Sequence, residues 1–123
     1  MWLFTKYGFF SAVCAREGDG KYGRPVDENR IMVRARSKEH LLALIQRFGA
    51  HLGESEILDS AGTDYRYRIF VDKDRWSAVI GDLASETDYD NFKSAVATHQ
   101  GADGREYEMA LHDVWSVMHH LQR

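Results

Sequence analysis

The sequence predicts a single α+β domain built on an antiparallel sheet, and two observations carry that prediction. From Ile31 to Leu83 the hydrophobic period switches between that of a strand and that of a helix, in the order strand, helix, strand, strand, helix. The chain is 123 residues long, 44% apolar and 12% aromatic, with one proline, which suits one hydrophobic core and excludes a disordered composition. One domain spanning residues 1–123 is therefore expected.

The elements follow in order. Phe9 to Glu17 is rich in strand-forming residues and is bounded by Gly8 and by Gly18-Asp19-Gly20. Gly18 to Asn29, with three glycines and the sole proline, reads as a long hairpin loop. Ile31 to Arg36 alternates at period two, and Ser37 can cap a helix whose Leu41, Leu44, Ile45 and Phe48 form one apolar stripe ending near Gly49. Glu56-Ile57-Leu58 is a short strand, Ala61-Gly62-Thr63-Asp64 a turn, and Tyr65 to Val71 a strand with Tyr65, Tyr67, Ile69 and Val71 on one side. Asp72 or Asp74 can cap a second helix with Trp76, Val79, Ile80 and Leu83 facing inward. Thr87 or Asp88 can cap a third through Tyr89, Phe92 and Val96, ended by Gly101-Ala102-Asp103-Gly104. In the final helix Tyr107, Leu111, Val114, Met118 and Leu121 line one stripe, which Trp115 widens.

Strand, helix, strand, strand, helix is the split βαβ pattern of a ferredoxin-like sheet without its last strand. Phe9 to Glu17 can supply that strand from the front, hairpinned antiparallel onto Ile31 to Arg36. The expectation is thus a circularly permuted ferredoxin-like sheet with two extra C-terminal helices. Met1 to Thr5 either extends the sheet or folds back as a short edge strand.

Composition also narrows the functional classes. Sixteen Lys and Arg against nineteen Asp and Glu give a formal net charge of -3, so no general attraction to nucleic acid or acidic lipid is expected. The opening Met1-Trp2-Leu3-Phe4-Thr5-Lys6-Tyr7 has no secretory pattern, and no apolar run has the length of a membrane span. Cys14 is the one cysteine, which excludes an internal disulfide and suits a reducing, cytoplasmic location without a membrane partner.

Arginine placement is the sharpest functional signal. Period-two arithmetic puts Arg34 and Arg36 on one face of their strand and Arg66 and Arg68 on one face of theirs, both opposite the more apolar parity. Arg16 and Phe10 join them if the neighbouring strand is in matching register. Guanidinium groups beside aromatic rings can hold phosphates or stack on bases. The plainer alternative is a helical lid whose Glu86, Asp88, Asp90, Glu106, Glu108 and Asp113 neutralise the arginines.

Other constellations have simpler accounts. Glu108, His112, His119 and His120 lack any zinc-binding spacing, and the last two suit the negative end of a helix dipole. Cys14 and Ser11 have no nucleophile motif around them, although Cys14 with a histidine and an acid brought together by the fold remains the enzymatic alternative. Gly18-Asp19-Gly20-Lys21 lacks phosphate-loop spacing and a following helix. Thr87-Asp88-Tyr89-Asp90-Asn91 gathers oxygens without calcium-loop register. No cofactor or metal is expected.

Trp2-Leu3-Phe4-Thr5, Gly8-Phe9-Phe10-Ser11 and Leu111-His112-Asp113-Val114-Trp115-Ser116-Val117-Met118 resemble segments of small conserved bacterial proteins of unassigned function. The resemblance covers most of the chain and implies a bacterial, free-standing domain; it brings no catalytic residues. The function expected is non-enzymatic binding of a protein or a small anionic ligand, with RNA a weaker alternative and a homo-oligomer formed through an unprotected sheet edge or face another.

Overall fold

The computed structural model describes residues 1–18 and 22–123, so the expected hairpin tip at Asp19, Gly20 and Lys21 lies outside the described residues. The strands are β1 (Trp2–Thr5), β2 (Gly8–Arg16), β3 (Val26–Ala35), β4 (Leu58–Asp59) and β5 (Tyr67–Asp72). The helices are α1 (Lys38–Arg47), α2 (Gly49–Leu52), α3 (Lys73–Ser85), α4 (Phe92–Gln100) and α5 (Arg105–His119), with a 3₁₀ turn at Gly101–Gly104. The fold is α+β, with a five-stranded antiparallel sheet in the order β1-β2-β3-β5-β4. By contact the chain divides into two compact units, residues 1–4 with 8–87 and residues 5–7 with 88–123.

In the first unit α1 and α3 pack on one face of the sheet. Phe10, Val33 and Ile69 from the strands meet Leu41, Leu44, Leu52 and Val79 in a core where all seven are fully buried. Period two and period 3.6 bring these residues to a shared interface, the usual way a sheet and its helices enclose a core. Gly8 begins β2 at φ +150, and a Cβ there would run into the His40 ring of α1. The close approach lets the Phe9 amide donate to His40 Nδ1 across 3.3 Å.

Boundaries shift for local reasons. β3 starts at Val26, inside the expected loop, because Asp27 pairs with Ala15 and Val26 with Arg16 beyond a bulge. On the β2 side the pairing jumps from Cys14↔Ile31 to Ala15↔Asp27. Asp27 Oδ1 accepts from the Asn29 amide at 3.0 Å within the skipped segment. β5 begins at Tyr67 because Tyr65 is still part of the bend after Gly62. Ser37 and Asp72 occupy the N-cap positions of α1 and α3 without capping through their side chains; the Ser37 hydroxyl donates to Glu39 instead. The cap of α4 is Asn91, whose side chain accepts from the Ser94 amide at 3.0 Å, rather than Thr87 or Asp88. Thr87 is turned back onto α3, its hydroxyl donating to the Leu83 carbonyl.

In the second unit α4, the 3₁₀ turn and α5 gather around residues 5–7. Tyr107 donates its phenol to the Thr5 carbonyl at 2.7 Å, and Gln100 Nε2 donates to the Lys6 carbonyl at 2.9 Å. Burial pushes the Tyr107 phenol far above its ordinary titration range. The α5 stripe is buried at Tyr107 and Leu111 and half-buried at Val114, whereas Trp115, Met118 and Leu121 are exposed, so only its first half faces a core.

Candidate functional site

The reverse face of the sheet holds the arginines, and register places them. Ser11 pairs with Arg34 and Arg34 with Arg68; Val13 pairs with Met32 and Met32 with Phe70. Paired residues share a face, so Arg34 and Arg68 stand side by side at the centre of the sheet, opposite the face covered by α1 and α3. Like charges in that position repel.

Neither charge is neutralised: among the described residues no carboxylate pairs with Arg34 or Arg68. Arg34 donates one Nη to the Ser11 hydroxyl at 2.7 Å, and Arg68 donates one Nη to the Tyr65 carbonyl at 2.8 Å and to the Thr63 hydroxyl at 3.0 Å. The Nε atoms of both side chains are buried without a hydrogen-bond partner. Burial first, and then the Arg34 charge, hold the Arg68 guanidinium below its ordinary range, with Asp64 pulling it partly back.

Tyr65 organises the group. The Arg34 guanidinium lies 4.6 Å from its ring centroid and the Arg36 guanidinium 4.5 Å, both in cation–π geometry. Arg36 Nε also donates to the Asp64 carbonyl at 3.1 Å. An aromatic series continues from there: Phe9 lies 6.3 Å from Tyr65, Phe4 stacks on Phe9 at 4.6 Å, and Trp2 stands edge-on to Phe9 at 5.9 Å.

The other expected members are placed elsewhere. Arg66 is exposed and bound to Asp59 through two hydrogen bonds, at 2.7 and 3.0 Å. Arg16 lies beyond the bulge, its Nη1 donating to the Arg24 carbonyl and its guanidinium over the Tyr22 ring. Phe10 is on the opposite face, fully buried with its ring edge toward His40, because Ala12 and not Ser11 shares its parity. Thr63, Ser11, Phe9, Phe4 and Trp2 were not expected beside the arginines, and Tyr65, expected on the opposite side of its strand with Tyr67, Ile69 and Val71, instead lies against Arg34 and Arg36. A signal for Tyr65 was present: it directly follows the Gly62-Thr63-Asp64 turn, where strand alternation need not yet hold.

Three of the remaining candidates, Glu86, His112 and His119, have local partners. Glu86 is engaged by Arg47 at 2.6 Å. Lys93 Nζ lies 3.2 Å from His112 Nδ1, and His119 stacks on Trp115. Among the described residues no group of three His, Cys, Asp or Glu is placed to hold a metal ion, and no helix is long and apolar enough to cross a membrane. Cys14 is half-buried beside the bulge, paired with Ile31. Comparison with known protein families, curated proteins and solved structures finds no match to this chain.

Proposed function

We propose that this protein is a non-enzymatic binding module whose arginine-bearing sheet face holds an anionic group over Arg34 and Arg68. The observation that carries the reading is the pair of adjacent, half-buried arginines with no carboxylate partner among the described residues. Two desolvated like charges destabilise an empty face, and an oxyanion that accepts from both offsets repulsion and desolvation together. The arginines are also preorganised, Arg34 by the Tyr65 ring and Ser11, Arg68 by the Tyr65 carbonyl and Thr63, which lowers the entropy lost on binding.

The order β2-β3-β5-β4, with helices after β3 and β5, supports a ferredoxin-like sheet permuted so that its last strand comes first, in one domain with two added C-terminal helices. A single free cysteine supports a reducing, cytoplasmic setting.

The test is thermal unfolding in inorganic phosphate against sodium chloride of matched ionic strength. Phosphate at a hundredfold excess over its Kd should stabilise the fold by about 2.7 kcal/mol, beyond the general screening that chloride also gives. Arg68→Met should lose that increment while its unliganded stability changes by no more than about 1 kcal/mol, in the stabilising direction. Equal midpoints in the two salts for the parent protein would sink the reading.

A further inference from the structure

One row of residues crosses the whole sheet through the arginine pair. Ser11 faces Arg34, Arg34 faces Arg68, and Arg68 faces Leu58. Met1 and Ala12 exchange both backbone hydrogen bonds at 2.9 Å, which sets Trp2 opposite Ser11 at the other end of the row. Neighbouring strands are about 4.8 Å apart, so Trp2 and Arg34 are rooted about 10 Å from each other. Trp2 is 69% exposed, yet its ring is fixed edge-on against Phe9, which in turn stacks on Phe4. A rigid aromatic surface therefore lies beside the unpaired guanidiniums on the same face.

That pairing of chemistries suits a ligand with an anionic head and a flat ring. Two guanidiniums match one phosphate group, by bidentate or bridging donation, and an exposed indole offers a stacking surface that tolerates any base. The protein's formal net charge of -3 disfavours a long polyanion, whose affinity grows with each phosphate neutralised. We infer that the ligand of this face is a nucleoside monophosphate, its phosphate on Arg34 and Arg68 and its base stacked on Trp2. The inference rests on the anion-binding reading above and adds the ring to it.

Isothermal titration of the full chain with inorganic phosphate, adenosine monophosphate and a short single-stranded oligonucleotide tests it. Adenosine monophosphate should bind about tenfold more tightly than inorganic phosphate, the factor expected of one stacked base. Trp2→Ala and Phe9→Leu should each weaken adenosine monophosphate by up to about the same factor, whereas Trp115→Ala, on α5, should leave its affinity unchanged. Phe9→Leu keeps most of the apolar volume and leaves the Trp2 indole in place while removing the ring that holds it, so it tests the positioning of the indole where Trp2→Ala tests its presence. Equal affinities for phosphate and adenosine monophosphate would overturn the nucleotide and leave the anion site standing. Binding of none of the three would remove both. An oligonucleotide bound far more tightly than the mononucleotide, with a salt dependence steeper than that of one phosphate, would replace a free nucleotide by a nucleic-acid strand.

Discussion

The two faces of this sheet are built from alternate residues of the same strands, and they differ in where their neighbours come from. On one face Ile31, Val33, Ala35, Ile69 and Val71 meet helices α1 and α3, whose apolar stripes match them. On the other, Arg34 and Arg68 donate through Nη atoms, to the Ser11 hydroxyl and to residues of the bend at 63–65, while their Nε atoms stay without a partner. The first face is closed by periodic elements and is apolar throughout these pairs. The second is organised by a loop and, among the described residues, keeps two charges without a carboxylate partner, so the close packing that gives stability resides in the first.

Removing volume from the closed face gives the largest expected effect. Phe10 is fully buried, and its truncation leaves a cavity bounded by strands and helix that cannot easily collapse. Phe10→Ala should lower unfolding free energy by about 3–5 kcal/mol, read from the urea midpoint at constant slope. Val13→Ala, a truncation on the opposite face at a half-buried site, should cost clearly less, and equal costs would erase the distinction between the faces.

This asymmetry also explains what the sequence made legible. Strand parity identified Ile31, Val33, Ile69 and Val71 as one side, and helical spacing identified Leu41, Leu44, Phe48, Trp76 and Val79, because burial enforces periodicity on both partners. The α+β class and the antiparallel hairpins followed from those patterns. Arg34 and Arg68 were legible as a pair for the same reason. Tyr65 was not, since it lies ahead of β5, where a turn and not the pleat decides which way the ring points. Phe10 and Ser11 depended on the register of β2 against β3, and one residue of register exchanges the two faces. The exposed end of α5 shows the opposite limit, for Met118 and Leu121 continue the stripe of Tyr107 and Leu111 without sharing its burial.

A pH titration sharpens the contrast with a smaller effect. Burial holds the His40 imidazole below its ordinary range, although Glu39 draws it partly back, and its Nδ1 accepts from the Phe9 amide. Because the folded state has the lower pKa, the unfolded chain binds the extra proton first. Stability is therefore complete above the unfolded value of about 6.5 and falls as pH drops from there toward the folded pKa. One proton limits this slope to about 1.4 kcal/mol per pH unit. His40→Asn, which keeps an acceptor near Nδ1, should flatten the profile between neutrality and pH 5; an unchanged slope would assign the acid sensitivity to other groups.

The smallest expected effect separates the arginines from one another. Arg66 and Asp59 form a two-bond pair with side chains 52% and 51% exposed, so water already solvates both charges. Hydrogen bonding from Arg66 holds the Asp59 carboxyl below its ordinary range, which stabilises the fold above the unfolded carboxylate pKa and fades as pH falls through the folded one. Screening and side-chain entropy offset most of that gain at neutral pH. Asp59→Asn should thus leave the urea midpoint within experimental error at physiological salt and should not alter phosphate binding. A marked loss of phosphate affinity in Asp59→Asn would mean that Arg66 acts with the central pair, and the boundary of the site would have to be drawn one strand position further along the sheet.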